Sequence, residues 1–111
     1  MTRVLIDEFG AIVRLGFKDC LDGEGMEVVA EDLRYVDLLS RVVEVLPDVV
    51  IVDVDAAASS DRVRELTRAF PRIQIVACSE NETEIRVYPR FLHGESYVVP
   101  LSVEEVRRAV T

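Results

Sequence analysis

Five short apolar runs punctuate the chain: R-V-L-I over Arg3–Ile6, E-V-V-A over Glu27–Ala30, D-V-V-I-V-D over Asp48–Asp53, I-Q-I-V-A-C over Ile73–Cys78 and Y-V-V over Tyr97–Val99. Most lack a clean alternation of apolar and polar positions. Continuous Val/Ile runs of this length fit strands covered on both faces. The segments between them carry helical spacing. Ile12, Val13, Phe17, Cys20 and Leu21 share one face, and Gly23 and Gly25 supply a stop. Val36, Leu39, Val42, Val43 and Leu46 form a second face, ended by Pro47. Ser59 or Ser60 caps a third helix with Val63, Leu66 and Phe70 inward. Ser102 caps the last, whose inner face is Val103, Val106 and Val110. Its Glu104 and Glu105 come early and its Arg107 and Arg108 late, which complements the helix dipole. The fourth gap is irregular: Glu80–Val87 starts like a helix and runs into Pro89, so a short or distorted helix, or a loop, is expected there.

Strand and helix therefore alternate five times. Short connections between them imply right-handed crossovers and helices on both faces of a parallel sheet. The expected fold is α/β, a doubly wound (βα)5 five-stranded parallel sheet with an irregular fourth helix, in one domain over residues 1–111.

Composition narrows the function. The 111 residues are half hydrophobic, enough for a real core. The net charge of −8 argues against direct nucleic-acid binding, which needs Lys and Arg to neutralise phosphates. Cys20 and Cys78 fit no metal-ligand spacing and read as reduced thiols. No targeting segment or membrane span is visible, so a cytoplasmic location is expected.

In doubly wound sheets the functional crevice lies beyond the carboxyl ends of the strands. Asp7 and Glu8 close the first strand there, Asp53 and Asp55 the third, Cys78 and Ser79 the fourth, Val99 and Pro100 the fifth. Clustered carboxylates repel one another, and a divalent cation relieves them. Oxygen-only ligands suit Mg²⁺ or Mn²⁺. Asp55 reads equally well as a solvated loop acid.

These stretches resemble a response-regulator receiver domain, the CheY-like flavodoxin fold, and within it the receivers of NarL/FixJ-type regulators. R-V-L-I-D-E-F-G-A-I-V-R-L-G-F is similar to the family's first strand, acidic pair and first helix, and G-M-E-V-V-A-E to its second strand. L-P-D-V-V-I-V-D-V resembles the phosphoacceptor strand, F-P-R-I-Q-I-V-A-C-S the fourth strand and Y-V-V-P-L-S the fifth. The resemblance implies a phospho-switch fed by a histidine kinase. Asp53 is then the phosphoacceptor, Glu8 the first acid of the Mg²⁺ site, and the Asp55 backbone carbonyl a further metal ligand.

The departures weigh more than the matches. The second acid falls on Phe9 unless the register slides to make Asp7 and Glu8 the pair. The switch hydroxyl falls on Cys78, and Ser79 substitutes only by a one-residue shift. Pro100 stands where the family has a lysine, and Lys18, on the first helix, is the only lysine in the chain. Without that charge and with a weak thiol donor, a transferring phosphoryl group loses much of its stabilisation. Tyr97 matches the family's aromatic switch position, or simply packs its ring with a wet hydroxyl. His93 reads as a surface residue.

The resemblance so qualified implies a non-enzymatic, atypical receiver domain of a bacterial regulator of transcription, with Mg²⁺ bound weakly or not at all. Its expected partners are a C-terminal DNA-binding domain and a second copy, with a histidine kinase or a small-molecule effector as input. Two alternatives stay open: a receiver phosphorylated on Asp53 with Mg²⁺, and a receiver that senses a ligand in the strand-end crevice. A more remote one is a metal-dependent phosphohydrolase using the D-V-D of Asp53–Asp55.

Overall fold

The computed structural model describes residues 2–7, 11–21, 25–30, 38–53, 59–79, 83–92 and 95–110. Its elements run β1 Thr2–Ile6, α1 Ala11–Leu21, β2 Met26–Ala30, α2 Leu38–Val45, β3 Val49–Asp53, α3 Ser59–Ala69, β4 Gln74–Cys78, β5 Glu84–Tyr88, β6 Tyr97–Pro100 and α4 Val103–Val110. The strands form one sheet in the order β2-β1-β3-β4-β5-β6. β1 to β4 pair in parallel, with β1 and β3 central. This is the doubly wound α/β class of the flavodoxin type.

The Val/Ile run of β3 serves two cores at once, because successive side chains point to opposite faces. Val49 and Ile51 pack with Phe17 and Leu21 of α1 and Val106, Ala109 and Val110 of α4. Val50 and Val52 pack with Val42 of α2 and Val63 and Leu66 of α3. Each such side chain, fully buried, contributes roughly 1.5–3 kcal/mol.

Side chains from the sheet and from α4 meet the carbonyls at helix ends. Arg3 Nη1 donates to the carbonyls of Val45 at 2.8 Å and Leu46 at 3.3 Å, at the end of α2. Leu46 there has φ 52, the left-handed turn usual after a helix, and Pro47 follows. The Arg107 Nε donates to Cys20 O at 2.6 Å, beside the end of α1. Gln74 Nε2 donates to Ala109 O in the last turn of α4. At the other end of α4, Ser102 Oγ accepts from the Glu105 N–H at 3.2 Å, the expected cap.

The structure corrects the expected fourth βα unit. Thr83 to Tyr88 is not helical: β5 lies antiparallel to β4, and β6 lies antiparallel to β5. The sheet described therefore has six strands, and its last two pairings are antiparallel where five parallel strands were expected. The reason is visible in E-I-R-V-Y. Ile85 and Val87 are buried while Glu84 and Arg86 are exposed, the period-two pattern of a strand covered on one face. Two antiparallel steps return β6 to the direction of β1–β4, but one strand further out.

Pro100 suits that outer place. The Leu101 N–H donates to Thr83 O at 2.7 Å, so alternation turns the backbone of Pro100 and Val98 toward the open edge. A proline there gives up no ladder hydrogen bond.

Some inner-face assignments also shift. Ile12 is 86% exposed, because Phe17, Leu21 and the half-buried Val13 and Cys20 define the face one residue around the helix. Val43, Leu46 and Val103 are likewise exposed. Val36 lies outside the described residues.

Candidate functional site at the strand ends

β1, β3 and β4 end together, as parallel pairing requires. The Asp7 N–H donates to Ile51 O at 2.9 Å, continuing the ladder one residue beyond β1. Asp53 pairs with Cys78 in register. The structure thus brings Asp7, Asp53, Cys78 and Ser79 to one end of the sheet. Glu8 and Asp55 lie outside the described residues, as do Phe9 and His93.

Asp7 is only 2% exposed, and its Oδ2 accepts the Asp53 N–H at 2.9 Å. A carboxylate held by a backbone donor is a strong hydrogen bond, worth about 1.5–3 kcal/mol. It fixes the backbone of Asp53 at the end of β3. It also commits one Asp7 oxygen to the backbone. Among the described residues no three His, Cys, Asp or Glu side chains gather closely enough to hold a metal ion.

Cys78 is buried beside Asp53. Burial first, and then the Asp53 charge, push its thiol from 9.0 up to about 12. Cys78 is therefore a neutral thiol, a weak hydrogen-bond donor and a poor nucleophile. Ser79, only 6% exposed, follows it at the strand tip. Alternation along β4 directs Cys78 to the Asp53 side of the sheet and Ser79 to the other.

Tyr97 and Pro100 do not join this group. Both sit on β6, and all of β5 lies between β6 and Cys78. Neighbouring strands are about 4.8 Å apart, so the extra strand carries Pro100 that much further from Asp53 than direct pairing with β4 would. Tyr97 is 47% exposed and shares the sheet face of Val87, its partner in register. Sequence reasoning assigned nothing to Glu84, Arg86 or Tyr88, which border Ser79 in a cavity on the opposite face. Their signal was the alternation of β5.

The chain is similar to the chemotaxis protein CheY of Thermotoga maritima, with 29% identity over 79 residues. The match covers 69% of this chain and 66% of that protein. The likeness spans about two thirds of the length of each of the two proteins. No family model matches the chain, and no solved structure matches it.

Proposed function

We propose that this chain is an atypical receiver-like signalling domain that contributes to control of bacterial transcription without relying on conventional aspartyl phosphorylation. One observation carries the reading: β5 stands between β4 and β6, so the strand expected to border the phosphoryl pocket lies one place too far out. Its residue at the expected lysine position is Pro100, and the chain's single lysine, Lys18, is on α1. Cys78 adds a weak donor where a hydroxyl is expected. Transfer of a phosphoryl group to Asp53 then lacks the lysine that would stabilise its oxygens.

The domain is not an enzyme in this reading. Its output is a change in how it meets a second copy and a C-terminal DNA-binding domain. The exposed apolar side chains Val98, Leu101 and Val103, where β6 meets α4, offer contact area for such a partner. The second reading, a phosphorylated receiver, rests on Asp53 itself. That residue closes β3 half-buried, with its backbone fixed by Asp7.

Incubation with Mg²⁺ and acetyl phosphate, followed by intact mass, separates the two. The expected result is no phosphoryl adduct on either the wild type or Asp53→Asn. An adduct on the wild type alone would establish the second reading instead.

A further inference from the structure

Two opposite charges line one cavity without pairing with each other. The cavity, about 290 Å³, lies against the face of β4–β6 turned away from Asp53 and Cys78. Its lining includes Ala77, Ser79, Glu84, Arg86, Tyr88 and Val98. It exists because a strand replaces the expected crossover helix. α2 and α3 cover β1, β3 and β4 on this face through Val42, Val63 and Leu66, and that cluster reaches β5 only at Tyr88.

Glu84 and Arg86 are two residues apart on one strand, so they share the cavity face with backbones about 7 Å apart. Arg86 Nη1 donates to Ser96 Oγ at 3.0 Å, which leaves most of its five N–H donors for another acceptor. The Glu84 side chain has no ion pair or hydrogen bond among the described residues. Two hydroxyl groups, on Ser79 and Tyr88, complete the polar lining, and Ala77 and Val98 supply an apolar surface.

We infer that this cavity binds a small zwitterion, a free α-amino acid or a close amino-carboxylate. Arg86 takes the carboxylate through its planar donor fork. Glu84 takes the ammonium group, and a short side chain lies on Ala77 and Val98. The volume falls just under the roughly 300 Å³ at which ligand pockets begin, so the ligand is small. A simple anion leaves Glu84 repelling it, and a simple cation leaves Arg86 doing the same. Only a molecule carrying both charges satisfies both residues. Ser79 connects the cavity to the strand tip, since it follows Cys78, the register partner of Asp53. The inference deepens the proposed function by naming its input. It rests on that reading for the consequence of binding, not for binding itself.

The test uses the full chain, thermal melts and titration calorimetry. The probes are the proteinogenic α-amino acids, their N-acetyl derivatives and their amides. The expected result is a concentration-dependent rise in Tm with at least one free amino acid, lost when either its amine or its carboxylate is blocked. Arg86→Gln and Glu84→Gln, both at exposed positions, should keep the wild-type circular dichroism and each weaken that binding by about tenfold or more. The inference is overturned if no free amino acid shifts Tm, if the N-acetyl derivative binds as well, or if the variants bind like the wild type. Acetyl-phosphate labelling reads independently: a labelled protein that still binds the amino acid loses the proposed function but keeps this site.

Discussion

The two halves of the sheet are built on different rules. β1, β3 and β4 are parallel, sandwiched between helices, and mostly buried. β5 and β6 are antiparallel, and their exposed positions include both charges and large apolar side chains. The first half holds an orderly strand-end cluster of Asp7, Asp53 and Cys78. The second half has moved Tyr97 and Pro100 away from that cluster and opened a cavity of its own. A single extra strand accounts for both changes. It displaces β6 from β4 and occupies the chain length that a covering helix would have used.

Substitutions separate the halves by size of effect. Ile51→Ala, in the sandwiched half, should cost roughly 2–5 kcal/mol in urea unfolding, through lost transfer energy and the cavity left behind. Ile85→Ala, on β5 in the same apolar cluster, should fall in that range too. Arg86→Ala, exposed on the opposite face of β5, should stay within about 0.5 kcal/mol, and a cost in the range of Ile51→Ala would mean that this face is covered like the sandwiched strands. Asp7→Ala should cost about 1–3 kcal/mol, because the Asp53 N–H loses its acceptor. Asp7→Asn keeps an oxygen acceptor and should recover much of the loss.

Cys78 yields a smaller, pH-dependent effect. Its folded pKa lies above the unfolded value, so its contribution is fully present below pH 9.0 and is lost as pH rises toward about 12. Over that interval the unfolded chain releases the proton while the folded one keeps it. Cys78→Ala should flatten the alkaline fall in stability relative to the wild type. In the folded protein, a thiol reagent at neutral pH should label Cys20, which is partly exposed, well before Cys78. The smallest effect is expected from Pro100→Lys: within about 0.5 kcal/mol in stability, with no gain in acetyl-phosphate labelling. Restored labelling would mean that β6 borders the Asp53 pocket after all.

What the sequence made legible follows the same division. Where strands are covered on both faces, V-V-I-V-D and Q-I-V-A-C announce themselves as unbroken apolar runs. The four parallel strands fall within a residue of expectation. Ser102 and the dipole-ordered charges of α4 were readable because capping is local chemistry. E-I-R-V-Y is hard to read because its alternation is short and the stretch ahead of Pro89 fits a helix start equally well. Ile12 and Val43 share the spacing of an inner face but lie outside it, because helical spacing fixes a face only to within about a residue. The strand-end grouping of Asp7, Asp53, Cys78 and Ser79 follows from parallel register, which the alternation of elements dictates. The displacement of Tyr97 and Pro100 depends on a pairing between distant segments, which no local pattern encodes.

The most direct test of this account is the backbone proton contacts of β5 by NMR. Arg86 and Val98 face each other as a non-hydrogen-bonded antiparallel pair, which brings their Cα atoms to about 4.5 Å. A strong cross-peak is expected between their α-protons, with contacts between Cys78 and Ile85 on the other side of β5. Cross-peaks joining Val98 or Val99 directly to Ala77 or Cys78 would contradict it. They would place β6 beside β4 and return Pro100 to the rim of the Asp53 site.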